Sequence, residues 1–90
     1  MLSFCIVVKI FITYSEPEQV EALENFKRDN VSFEFFDTKS SKKKKAFALK
    51  SHWGARLDPF VLITDNDKPL KVMYSEDDPN VINSLINYLS

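Results

Sequence analysis

Asp58-Pro59-Phe60-Val61-Leu62-Ile63-Thr64 sets a proline directly ahead of five apolar or β-branched residues. A proline cannot donate to a sheet ladder, so it stands at the head of this strand and not inside it. A continuous apolar run bounded by turn signals reads as a strand covered on both faces. Downstream, Asp65-Asn66-Asp67-Lys68 is a turn cluster, and Leu70 to Tyr74 returns as the hairpin partner. Asp78 followed by Pro79 reads as an N-cap with proline in the first helical position. Val81, Ile82, Leu85, Ile86 and Leu89 then line one side of a closing helix.

Upstream of Pro59 the pattern continues. A helix is expected from about Ser41 to Trp53, stopped by Gly54, with Phe47, Ala48 and Trp53 supplying its buried side. Val31 to Asp37 alternates Val31, Phe33 and Phe35 against Ser32, Glu34 and Phe36, a strand with one well-buried face. Before it, Tyr14-Ser15-Glu16-Pro17-Glu18 opens a helix running to about Asp29. Ser15 and Glu18 are spaced as a capping box, Pro17 is tolerated in a first turn, and Val20, Leu23 and Phe26 face inward. The opening run, Phe4 to Ile12, is too short to span a bilayer. It has no early cation and is interrupted by Lys9, so a central strand explains it better than a secretory signal. The first two strands and the helix between them form a βαβ unit, parallel and with a right-handed crossover.

The order is therefore β-α-β-α-β-β-α, an α/β domain with a four-stranded mixed sheet and helices on both faces. Ninety residues that are 44% apolar, with eight Phe, three Tyr and one Trp, suffice for one compact core spanning residues 1–90. One Gly rules out glycine-rich phosphate loops. One Cys rules out an internal disulfide and any zinc site built on several thiolates. One His leaves few routes to triad chemistry. No cofactor is expected, and a lone thiol without a signal sequence points to the reducing cytoplasm.

The element order, the size and the place of Pro59 resemble the minimal thioredoxin or glutaredoxin fold over almost the whole chain. The resemblance implies a cis peptide bond before Pro59, lying against the loop between the first strand and the first helix. That loop carries the family's aromatic-Cys-x-Pro-Cys motif, and this chain has Tyr14-Ser15-Glu16-Pro17-Glu18 there. The aromatic and the proline are kept and both cysteines are gone. Thiol–disulfide exchange needs an attacking thiolate and a resolving thiol. Ser15 stands at the nucleophile's place and Glu18 at the resolving one, and neither can perform that step. Cys5, roughly 30 Å of extended chain before Ser15, reads as a structural cysteine. A hydrolytic role for Ser15 would need a base, for which His52 or a carboxylate is the candidate, whereas a helix cap already accounts for Ser15 and Glu18 together. The resemblance thus implies a redox-inactive domain, not an enzyme, with a binding groove around Tyr14, Ser15, Glu18, Asp58, Pro59 and Asp77. It also leaves open retained glutathione binding, although Asp58 and the acids Glu76-Asp77-Asp78 would oppose a carboxylate-rich ligand.

Charge is segregated along the chain. Residues 38–57 hold seven of the 12 cations and no acid, which leaves five cations against 13 acids elsewhere, a balance of −8. Lys42, Lys43, Lys44 and Lys45, with Arg56, form a candidate anion patch. Four consecutive helix positions point in four directions, so a solvated, solubilising surface is the simplest reading. An acidic protein partner comes next. Nucleic acid comes last, because base and phosphate recognition wants cations spread over a face beside stacking groups. No membrane contact is expected. The role these residues suggest is a small module that binds another protein.

Overall fold

The computed structural model describes residues 7–90. The start of the expected first strand, Phe4 to Ile6, and with it Cys5, lies outside the described residues. Strand β1 (Val8–Tyr14) is followed by a 3-10 helix (Pro17–Leu23), β2 (Val31–Asp37), helix α1 (Lys43–Trp53), β3 (Phe60–Asp65), β4 (Lys68–Tyr74) and helix α2 (Val81–Leu89). The strands form one mixed sheet in the order β2-β1-β3-β4. β1 runs parallel to β2, with Ile10 opposite Phe33. β3 runs antiparallel to β1, with Ile10 opposite Ile63, and β4 antiparallel to β3.

Side-chain alternation sorts the strands into two faces. On one, Ile10, Ile12, Val61 and Ile63 are buried with Val20 and Leu23 of the 3-10 helix and Val81, Ile82, Leu85 and Leu89 of α2. Phe33, Phe35 and Phe26 extend this core toward the β2 edge, with Phe26 edge-on to Phe33 at 5.9 Å. On the other face lie Thr13, Phe36, Phe60 and Leu62, all buried, under Ala46 and Lys50 of α1. Lys42 sits over the Phe36 ring on one outer strand, and the Trp53 carbonyl accepts the Tyr74 hydroxyl on the other. Eleven helical residues reach about 16 Å, close to the roughly 14 Å spanned by four strands, so α1 crosses the sheet from edge to edge.

Several local results differ from the sequence expectation. The segment expected to be helical to Asp29 is a 3-10 helix that stops at Leu23. Its inward residues Val20 and Leu23 lie three positions apart, a spacing that matches the three residues per turn of a 3-10 helix. The cap also sits one residue later: Glu16 is the N-cap, and the Gln19 side-chain oxygen, not Glu18, accepts the backbone N–H groups of Ser15 (2.9 Å) and Glu16 (3.2 Å). Finally, α1 begins at Lys43 and buries Ala46 and Lys50, while Phe47 is 56% exposed and Ala48 is exposed. Phe47 and Ala48 are therefore not its inner side.

The ends of elements follow ordinary stereochemistry. Gly54 closes α1 in the left-handed conformation (φ 74°), and the Ala55 N–H returns to the Lys50 carbonyl at 2.8 Å. The β3–β4 hairpin turns on Asn66 and Asp67, both with positive φ, as a two-residue turn of this kind requires. Ahead of α2 the N-cap is Asn80 and not the expected Asp78, so Pro79 precedes the helix; the Asp78 carboxylate instead accepts the Asn80 N–H (2.9 Å) and the Ser84 hydroxyl. The outer strand β4 carries Pro69 and pairs through a register shift at Ile63/Thr64. No helix of the described residues is long and apolar enough to cross a membrane.

Candidate functional site

The Asp58–Pro59 peptide bond is cis. Its loop is held from both sides. On the α1 side, Asp58 Oδ1 lies 3.1 Å from Lys50 Nζ and accepts the Thr13 hydroxyl at 2.7 Å. Thr13 Oγ1 in turn accepts the Phe60 N–H at 3.0 Å, so one hydroxyl serves as donor and acceptor. The Lys50 and Asp58 side chains are only 8% and 12% exposed, and the Phe47 ring lies 5.5 Å from the Lys50 ammonium. A charge removed from water in this way must be paired and hydrogen-bonded, and here it is. On the other side, the Glu76 carboxylate accepts the backbone N–H groups of Arg56 (2.8 Å) and Leu57 (3.2 Å). These hydrogen bonds, the one from Arg56 first, hold the Glu76 carboxyl below the usual range. The Ser75 hydroxyl donates to the Pro59 carbonyl at 2.5 Å.

Beside this loop opens a groove of about 650 Å³. Glu18, Gln19 and Ala22 of the 3-10 helix form one wall, and Leu57, Asp58 and Pro59 form the floor and near lip. Ser75, Glu76 and the start of α2, from Pro79 to Asn83, form the opposite wall. Pro59, Val81 and Ile82 are buried there, whereas Leu57 at the lip is 53% exposed. Among the described residues, no lysine, arginine or histidine lines it.

Of the residues expected to form a groove, Glu18, Asp58 and Pro59 line it and Tyr14, Ser15 and Asp77 do not. The Tyr14 ring packs edge-on to Phe35 at 6.3 Å, because residue 14 shares a sheet face with Ile10 and Ile12. Ser15 is occupied locally: its N–H and, at 3.4 Å, its hydroxyl both meet the Gln19 side-chain oxygen. Asp77 is exposed, with its N–H bonded to the Tyr74 carbonyl. The Asp58 charge is paired with Lys50 and hydrogen-bonded by Thr13. The residue that sequence reasoning missed is Glu76, whose carboxylate braces the loop before Pro59 from twenty positions downstream. Nothing local in the sequence marks that contact.

The cationic cluster also divides. Lys43, Lys44 and Lys45 are exposed at the start of α1 and, with Lys42, make no ion pair among the described residues. Arg56 lies beyond the far end of the same helix, so the lysines and Arg56 are not one patch. Lys39, just before the cluster, is paired with Glu16, which raises the pKa of its ammonium.

No protein family, curated protein sequence or solved structure matches this chain.

Proposed function

We propose that this chain is a redox-inactive binding module of thioredoxin-like or glutaredoxin-like fold, which receives a segment of a partner protein in the groove beside Pro59. The observation that carries the reading is the groove itself: a cis-proline loop braced by Asp58 on one side and Glu76 on the other, beside a slot lined by Pro59, Val81 and Ile82. The strand order and the parallel β1–β2 pair support the fold assignment. Fold alone does not assign function, so the role rests on the site. The serine and glutamate at the places of the family's two cysteines support a role without catalysis, and the lone thiol suits a cytoplasmic setting.

A second reading, anion or acidic-protein binding on α1, is favoured by one observation: Lys43, Lys44 and Lys45 are exposed with no carboxylate paired to them among the described residues. Such binding would fall steeply with salt.

Two measurements test the main reading. Titrating the 15N-labelled chain with a pool of random-sequence decapeptides should shift the amides of Leu57, Asp58, Glu76 and Asn80, and shifts confined to residues 42–47 would favour the second reading. An insulin-reduction assay should show no turnover above background. Turnover that vanishes in Cys5→Ala would show that thiol chemistry survives.

A further inference from the structure

The groove is electrostatically one-sided. Glu18 projects from one wall and Glu76 from the other, and the single additional acid, Asp58, is already neutralised by Lys50. No cation lines it. Apart from Leu57, its lining residues fall outside 38–57, and the chain outside that segment carries a balance of −8. Pro59 beneath it and Val81 and Ile82 in its opposite wall are buried hydrocarbon, and Leu57 leaves an apolar lip in water. An apolar slot between two carboxylates is complementary to an apolar side chain between two cations. Resting on the groove reading above, we propose that the partner segment is an extended stretch of another protein bearing an apolar side chain flanked by Lys or Arg, and that anionic peptides, glutathione among them, are rejected.

The two carboxylates differ in what they can contribute. Glu76 spends both oxygens on backbone N–H groups yet keeps its charge at neutral pH, so it acts through its field. Glu18 is exposed on the first turn of the 3-10 helix and makes no ion pair among the described residues, so it is free to meet a ligand cation directly. Exposed charge pairs are weak singly, and two acting together give roughly a tenfold preference at low salt.

The test is a 15N titration of the full chain with three capped pentapeptides, Gly-Lys-Leu-Lys-Gly, Gly-Ser-Leu-Ser-Gly and Gly-Glu-Leu-Glu-Gly, and with reduced glutathione, read at Leu57, Glu76 and Asn80. The lysine peptide should bind about tenfold tighter than the glutamate peptide, with the serine peptide between them. The gap should close in 0.5 M NaCl, at about 4 Å screening length. Glu18→Gln should weaken the lysine peptide about threefold and leave the serine peptide unchanged. Equal affinities for the three peptides would overturn the charge selection while leaving the groove reading intact. Silence at the groove toward all of them would overturn both. Stronger shifts with glutathione than with the lysine peptide would reverse the assignment. Groove shifts that grow with protein concentration alone would overturn the cationic-peptide assignment and make a second copy of this chain the occupant.

Discussion

Ile10, Ile12, Val61 and Ile63 meet the 3-10 helix and α2 through hydrocarbon, whereas α1 reaches the opposite face through Ala46 and the ion-paired Lys50. The first contact is non-directional and scales with buried area. The second is directional, because Lys50, Asp58, Thr13 and the Phe60 N–H fit only one arrangement. A buried ion pair contributes little net stability compared with apolar residues of similar volume, but losing one partner is expensive. The apolar face therefore holds the domain together, and the polar face fixes where the Pro59 loop lies. That division puts the groove at the junction of the two, with Val81 and Ile82 of its wall from the first and the Pro59 loop from the second.

The largest effect should come from the apolar face. Leu85 is fully buried, and Leu85→Ala should lose about 3–4 kcal/mol in urea unfolding, whereas Leu85→Met should lose less than about 1.5 kcal/mol. On the polar face, Lys50→Met strands the Asp58 carboxylate and should lose about 3 kcal/mol. Adding Asp58→Asn should restore most of it. A neutral Lys50→Met would break the contrast, since α1 would then be seated by packing alone.

Smaller tests sharpen the comparison at the loop. Gly54→Ala meets no atom within 4 Å, so its loss of about 1 kcal/mol should come from the left-handed backbone alone. Thermal melts would resolve it. The least effect belongs to Glu76. Its folded pKa lies below the ordinary 4.5, so its contribution is fully present above that value and is lost as pH falls through the lower folded value. Glu76→Gln should flatten the stability profile in that acid window and shift the Leu57 amide at neutral pH. An unchanged profile would show that the brace contributes nothing to stability.

Much of the architecture is written in local pattern. The Phe60–Thr64 run, the alternation of Val31 to Asp37 and the stripe from Val81 to Leu89 each carry their own period, and the four strands and α2 follow them. α1 lacks such a stripe: its inner side pairs Ala46 with a lysine, and a lysine at a core position looks like any surface lysine until its partner Asp58 is known. The segment after Tyr14 departs from the α-helix its pattern predicts because Val20, Leu23 and Phe26 fit a period of three as well as one of 3.6 over so short a stretch. Pro59, Asp58 and Glu18 were legible as groove residues from the resemblance, but Tyr14 and Ser15 were not separable from them, since strand parity and the Gln19 contact decide where they point. Glu76 was illegible because its partners are backbone N–H groups, which leave no trace in residue type.

The two outer strands bear differently on solubility. β4 presents Lys68, Pro69, Leu70 and Lys71 to solvent and pairs through an irregular register, features that obstruct the docking of a further strand. β2 has neither a proline nor a register shift along its seven paired residues, and it carries Phe33, Phe35 and Phe36. If the chain aggregates through edge-to-edge strand addition, growth starts at β2, and the hairpin side stays closed.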